Sequence, residues 1–155
     1  MYASAYLKLL EELESQMASL YEMFSKYLSD DVEAAKLFQR LRDEEISHRN
    51  IVSLQRRIAA KNKLTFDDSS LDVEQIKDTL RRVDRIIKSE TPPSVEIALR
   101  VAVEFEDNAS ERHISRTFKP MGSEIEKMAI SLGAEDKKHY EAILGFAKKR
   151  GISLP

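Results

Sequence analysis

Apolar residues recur along this chain at alternating steps of three and four, the spacing that lines one face of an α-helix. In residues about 3 to 28, Leu10, Met17, Tyr21, Phe24 and Leu28 form such a stripe, and Glu14 falls in phase with it. Ser29-Asp30-Asp31 interrupts the pattern. A second stripe of Phe38, Leu41 and Val52 takes in Glu45 and His48 and predicts a helix reaching Lys61. At ~1.5 Å per residue that helix is about 45 Å long, and it pairs with the first as an antiparallel hairpin.

Residues 62 to 93 break the rhythm. Thr65-Phe-Asp-Asp-Ser-Ser70 reads as loop, Val73 to Ile87 as a short amphipathic helix, and Thr91-Pro92-Pro93-Ser94 as a stop followed by a new start. A third long helix carries Leu99, Ala102, Glu106, Ala109 and His113 on one stripe and ends near Phe118, before Lys119-Pro120. Ser123 and Glu126 make a capping-box pattern ahead of a fourth. Its inner stripe is Ile125, Met128, Leu132, Asp136, His139, Ile143 and Phe146, and Gly151 marks its C-terminal end. The pattern predicts an all-α fold: a four-helix bundle paired one-two and three-four, with a long crossover containing a short helix between helices two and three.

Composition narrows the function classes. The 155 residues suit a single domain with its own core. With no cysteine, disulfides, thiolate zinc sites and iron–sulfur clusters are excluded, so any metal must use oxygen and nitrogen ligands. The 25 basic and 27 acidic side chains nearly cancel, which gives no field favouring nucleic acid or anionic lipid. Arg40-Leu41-Arg42, Arg56-Arg57 and Lys148-Lys149-Arg150 read as solvated faces or helix C-terminal charges. The N-terminus lacks a basic, apolar leader and no segment could span a bilayer, so a soluble cytoplasmic protein is expected.

Six polar residues interrupt the apolar stripes near the middle of the helices. Glu45-Ile-Ser-His48 and Asp136-Lys-Lys-His139 each place a carboxylate three positions before a histidine, on one helical face, while Glu14 and Glu106 stand alone. Four carboxylates in one dry layer repel each other and lose hydration, so they need protons or cations. Two divalent cations would balance Glu14, Glu45, Glu106 and Asp136 and leave His48 and His139 as neutral donors. Such ligands suit iron or manganese, and zinc also fits. Glu135, four residues before His139, is an alternative to Asp136; helix phase favours Asp136.

In these residues the chain resembles the ferritin-like superfamily, and within it the rubrerythrin-like diiron-carboxylate proteins. Their pattern is a lone Glu on helix one, Glu-x-x-His on helix two, a lone Glu on helix three and Glu-x-x-His on helix four. It falls here on Glu14, Glu45, His48, Glu106 and His139, with Asp136 in place of a glutamate. The resemblance implies one ferritin-like diiron domain over residues 1–155, two metal ions, and oxidation of Fe(II) or reduction of oxygen or peroxide. Rubrerythrins add a cysteine-rich rubredoxin domain, absent here, so electrons are expected from a separate donor. They often carry a further helix-three glutamate where this chain has Ala109.

A homodimer is expected rather than a storage cage, because no extra helix follows the fourth. Non-catalytic iron sequestration and a metal-free helical interaction module are the competing readings. Tyr21 and His113 lie two turns from their own acids and, with helices one and three antiparallel, approach Glu106 and Glu14 as orienting donors. A hydrogen-bonded core histidine explains His113 equally well. Met17, Met128, Phe24 and Phe38 read as packing.

Overall fold

The computed structural model of the chain describes residues 1–65, 72–107 and 123–154. Five helices make up the described residues, with no strand among them: α1, Ala3–Tyr27; α2, Val32–Lys61; α3, Val73–Lys88; α4, Val95–Asp107; and α5, Ser123–Lys149. The loop expected after Thr65, and Ala109, His113 and Phe118 of the expected third helix, lie outside the described residues.

Helices α1 and α2 form the most extensive pair. Their stripes bury Leu10, Glu14, Met17, Tyr21 and Phe24 on one side and Phe38, Leu41, Glu45, His48 and Val52 on the other. Arg42 pairs with Glu22 and Arg56 with Glu11, so partners ascend one helix as they descend the other, which is the signature of an antiparallel hairpin. The reversal occurs in residues 28–31, where Asp31 caps α2 by accepting the Ala34 N–H at 3.1 Å. The same carboxylate receives two bonds of 2.7 Å from Arg150, at the far end of α5. These bonds hold the Asp31 pKa down at about 2, Arg150 first and the Ala34 N–H next.

Lys63 closes α2 in the left-handed region at φ 49°, and Leu64 N–H reaches back to the Ala59 carbonyl at 3.0 Å. The chain then meets its own start, with Ala3 N–H donating to the Leu64 carbonyl and Tyr2 bridging to Thr65. Gly151, at φ 69°, ends α5 by the same device, with Ile152 N–H on the Ala147 carbonyl.

Helix α3 lies where a short crossover helix was expected and packs against α1, burying Ile76, Thr79 and Val83. Helix α4 packs on α5, and α5 on α2. Gln55 ties the last pair, donating to the Ile125 carbonyl at 3.4 Å. On α5 the buried face is Ile125, Ala129, Leu132, Asp136, His139, Ile143 and Ala147. Met128 and Phe146, expected on that stripe, are half-buried at its edge. No described helix is long and apolar enough to cross a membrane.

Phe38 anchors the aromatic layer beside the polar centre, 5.3 Å from Phe24 edge-to-face and 5.8 Å from Tyr21. Phe38→Ala is expected to lower the unfolding free energy by ~3–5 kcal/mol, the usual cost of emptying a fully buried aromatic position. Chemical denaturation measures it, and a loss below about 1 kcal/mol would mean that this layer is not close-packed.

Candidate metal centre

The six polar residues in phase with the apolar stripes are all buried, and they meet. Glu14 comes from α1, Glu45 and His48 from α2, Glu106 from α4, and Asp136 and His139 from α5; each is at most 5% exposed. A carboxylate and a histidine three positions apart on one helix project to the same side, so each pair arrives together. The imidazole rings of His48 and His139 stack 4.9 Å apart, 14° from parallel.

Both Nδ1 atoms point into the acid cluster. His48 Nδ1 lies 3.4 Å from Asp136 Oδ1, 3.6 Å from Glu45 Oε2 and 3.9 Å from Glu14 Oε2. His139 Nδ1 lies 3.3 Å from Glu45 Oε1 and 3.7 Å from Glu106 Oε2. Glu45 therefore turns one oxygen to each histidine. Two overlapping sets of potential ligand atoms fall within 4.8 Å of one another: Glu45, His48 and His139, and Glu106, Asp136 and His139.

Donors arranged around an ion at ~2.0–2.2 Å stand roughly 3–4 Å from each other, which is the spacing found here. The contacts at the two Nδ1 atoms lack the geometry of hydrogen bonds. Accordingly His48 Nδ1, His139 Nδ1 and Glu106 Oε2 are buried without a hydrogen-bond partner, a state that native interiors rarely tolerate. Glu14, Glu45, Glu106 and Asp136 face a cavity of about 10 Å³, walled by Leu13, Met17 and Phe105, with room for about one water-sized sphere. Inward-facing nitrogen and carboxylate donors, orphaned atoms and this spacing all fit one or more metal ions.

Tyr21 orients one carboxylate. Its hydroxyl donates to Glu106 Oε1 at 2.5 Å, leaving Oε2 turned inward, and burial first, then the charges of Glu106 and Glu45, push the phenol well above its ordinary pKa. The sequence expectation for Tyr21 is met in this contact. Glu135, the alternative to Asp136, lies outside the cluster with Oε1 2.9 Å from Lys138. A residue that helix phase did not select does touch the centre: Glu44 Oε2 is 2.7 Å from His139 Nε2.

The chain matches no protein-family model, no curated protein and no solved structure. Its reading therefore stands on geometry and electrostatics.

Those electrostatics show how much positive charge the cluster demands. Burial pushes Glu45 well above the carboxylate range, and the charges of Glu14 and Glu106 add to the effect. Burial alone would depress both histidines, but neighbouring carboxylates outweigh it. Asp136 and Glu45 hold His48 at about 10, and Glu106 and Glu45 hold His139 at about 11. Without a metal, Glu45, His48 and His139 hold protons more strongly than they would in water.

A pH signature follows. A histidine whose folded pKa is raised contributes stability that is complete below its unfolded value of about 6.5 and is lost as pH climbs through its folded value. The raised Glu45 acts in the same direction from lower pH. Chelator-treated protein is expected to melt at progressively lower temperature as pH rises from about 6.5 toward 10. With excess divalent metal the trend should reverse, because protons then compete for the ligands. Identical melting curves in the two conditions would contradict a metal centre here.

Proposed function

We propose that this chain is a single ferritin-like diiron domain, a four-helix bundle of α1, α2, α4 and α5 with α3 in the crossover. In this reading it works as an oxidoreductase that oxidises Fe(II) or reduces oxygen or peroxide. The observation that carries the proposal is Glu45, with one oxygen facing His48 Nδ1 and the other facing His139 Nδ1, in a layer fed by four helices. A carboxylate so placed would bridge two cations. Asp136, within reach of His48 and grouped with Glu106 and His139, would be the second bridge.

Six protein ligands for two ions, two of them shared, leave coordination positions open for a small substrate. When bound, a pair of ferrous ions supplies the reducing electrons and the Lewis acidity for attack on oxygen or peroxide. The chain's own residues set the conditions for that chemistry. Glu14 and Glu106 close the two ends of the ligand set, and Tyr21 holds Glu106 by one oxygen so that the other stays directed inward. Leu13, Met17 and Phe105 keep bulk water from the centre, which strengthens every charge interaction inside it. The cavity among the described residues is narrow and suits a diatomic or similarly small oxidant.

With no cysteine the chain holds no rubredoxin-type or iron–sulfur centre, and in this reading electrons for re-reduction come from a separate donor. Anaerobically loaded protein should consume oxygen or peroxide at least tenfold faster than the same concentration of free ferrous iron, a gain of about 1.4 kcal/mol in the barrier. Oxygen-electrode and peroxide assays measure this. Rates equal to free iron would remove the oxidoreductase assignment and leave metal binding alone.

A further inference from the structure

Each carboxylate-histidine pair has a glutamate directly in front of it: Glu44 before Glu45-Ile-Ser-His48, and Glu135 before Asp136-Lys-Lys-His139. One residue is about 100° of helix rotation, so neither glutamate can share the inward face of its neighbour. Both side chains are partly exposed, 29% for Glu44 and 41% for Glu135. Their fates differ. Glu135 turns to Lys138 on its own helix, whereas Glu44 reaches across from α2 to α5 and places Oε2 2.7 Å from His139 Nε2. Its other oxygen is held by Arg40 Nε at 3.0 Å, one turn earlier on α2.

His139 is therefore gripped on both edges by carboxylates, Nδ1 by Glu45 and Glu106 and Nε2 by Glu44. Among the described residues, the carboxylates in ion-pair contact with His48 are Glu14, Glu45 and Asp136, all at Nδ1. The Glu44 contact has the length of a hydrogen bond, but the oxygen stands off the ring N–H axis, so Nε2 is still unsatisfied. Such an approach gives the ring a reason to keep its proton on Nε2.

We propose that Glu44 is a positioning residue for His139, fixing the tautomer that presents the Nδ1 lone pair to the cavity and so strengthening the metal position that His139 serves. The proposal rests on the metal-binding reading. A carboxylate on the outer nitrogen of a ligating histidine fixes ring orientation and raises its basicity, and loss of such a partner typically costs 10–100-fold in metal affinity. Arg40 holds the other oxygen of Glu44, so a chain of contacts runs from solvent through Arg40 and Glu44 to the ligand ring.

Anaerobic calorimetric titration of the full chain with ferrous iron tests it. The parent should show two binding steps. Glu44→Ala should weaken one of them about 10–100-fold and leave the other within threefold, while Glu44→Gln, which keeps an acceptor without the charge, should recover part of the loss. In zinc-loaded parent protein, ¹⁵N spectra should show a slowly exchanging Nε2 proton on His139, and Glu44→Ala should abolish that signal. Two steps of unchanged affinity, or equal weakening of both, would overturn the proposal while leaving the metal centre intact. A parent that binds no iron would overturn both.

Discussion

Four carboxylates from four helices share one dry layer, and their mutual repulsion is the constraint to which the rest of the structure answers. An unpaired buried carboxylate costs several kcal/mol, so Glu14, Glu45, Glu106 and Asp136 can sit together only with positive charge among them. The stacked imidazoles of His48 and His139 supply sites for it, and the surrounding carboxylates raise both pKa values, to about 10 and about 11. Protons satisfy that demand in part. Two divalent ions would satisfy it in full and would also use the orphaned nitrogens, which hydrogen bonding leaves unused.

The scaffold is arranged to deliver these groups to one level. The hairpin of α1 and α2 fixes Glu14 opposite Glu45 and His48, with Phe38 and Tyr21 packed beside them. Asp31 serves two ends at once, capping α2 and receiving Arg150, so the termini of α2 and α5 are pinned together. With Gln55 on the Ile125 carbonyl farther along, that contact sets α5 against α2 at both ends and brings His139 over His48. Tyr21 then draws α4 in through Glu106.

Much of this was legible in the sequence because helix phase is a strong signal when polar residues break an apolar stripe. The same alternation of three and four that placed Leu10 and Met17 inside also placed Glu14 inside, and it separated Asp136 from Glu135 correctly as to burial. Phase does not separate adjacent positions where a step of three and a step of four both continue the stripe: Met128 and Phe146 fit the spacing, yet Ala129 and Ala147 take the buried positions on α5. Glu44 is missed for a different reason. Standing one residue from Glu45, it belongs to the solvent side of its own helix, and only the cross-helix geometry shows that its carboxylate touches His139. The recurrence of a glutamate before both carboxylate-histidine pairs was the available clue.

The central claim is that these six residues exist to hold two cations. Anomalous diffraction from crystals grown with ferrous iron and measured on both sides of the iron absorption edge tests it most directly. The account predicts two iron peaks per chain, one between Glu14, Glu45, His48 and Asp136 and the other between Glu45, Glu106, Asp136 and His139. A filled, well-ordered layer with no anomalous peak, its histidines instead bonded directly to the carboxylates, would contradict it.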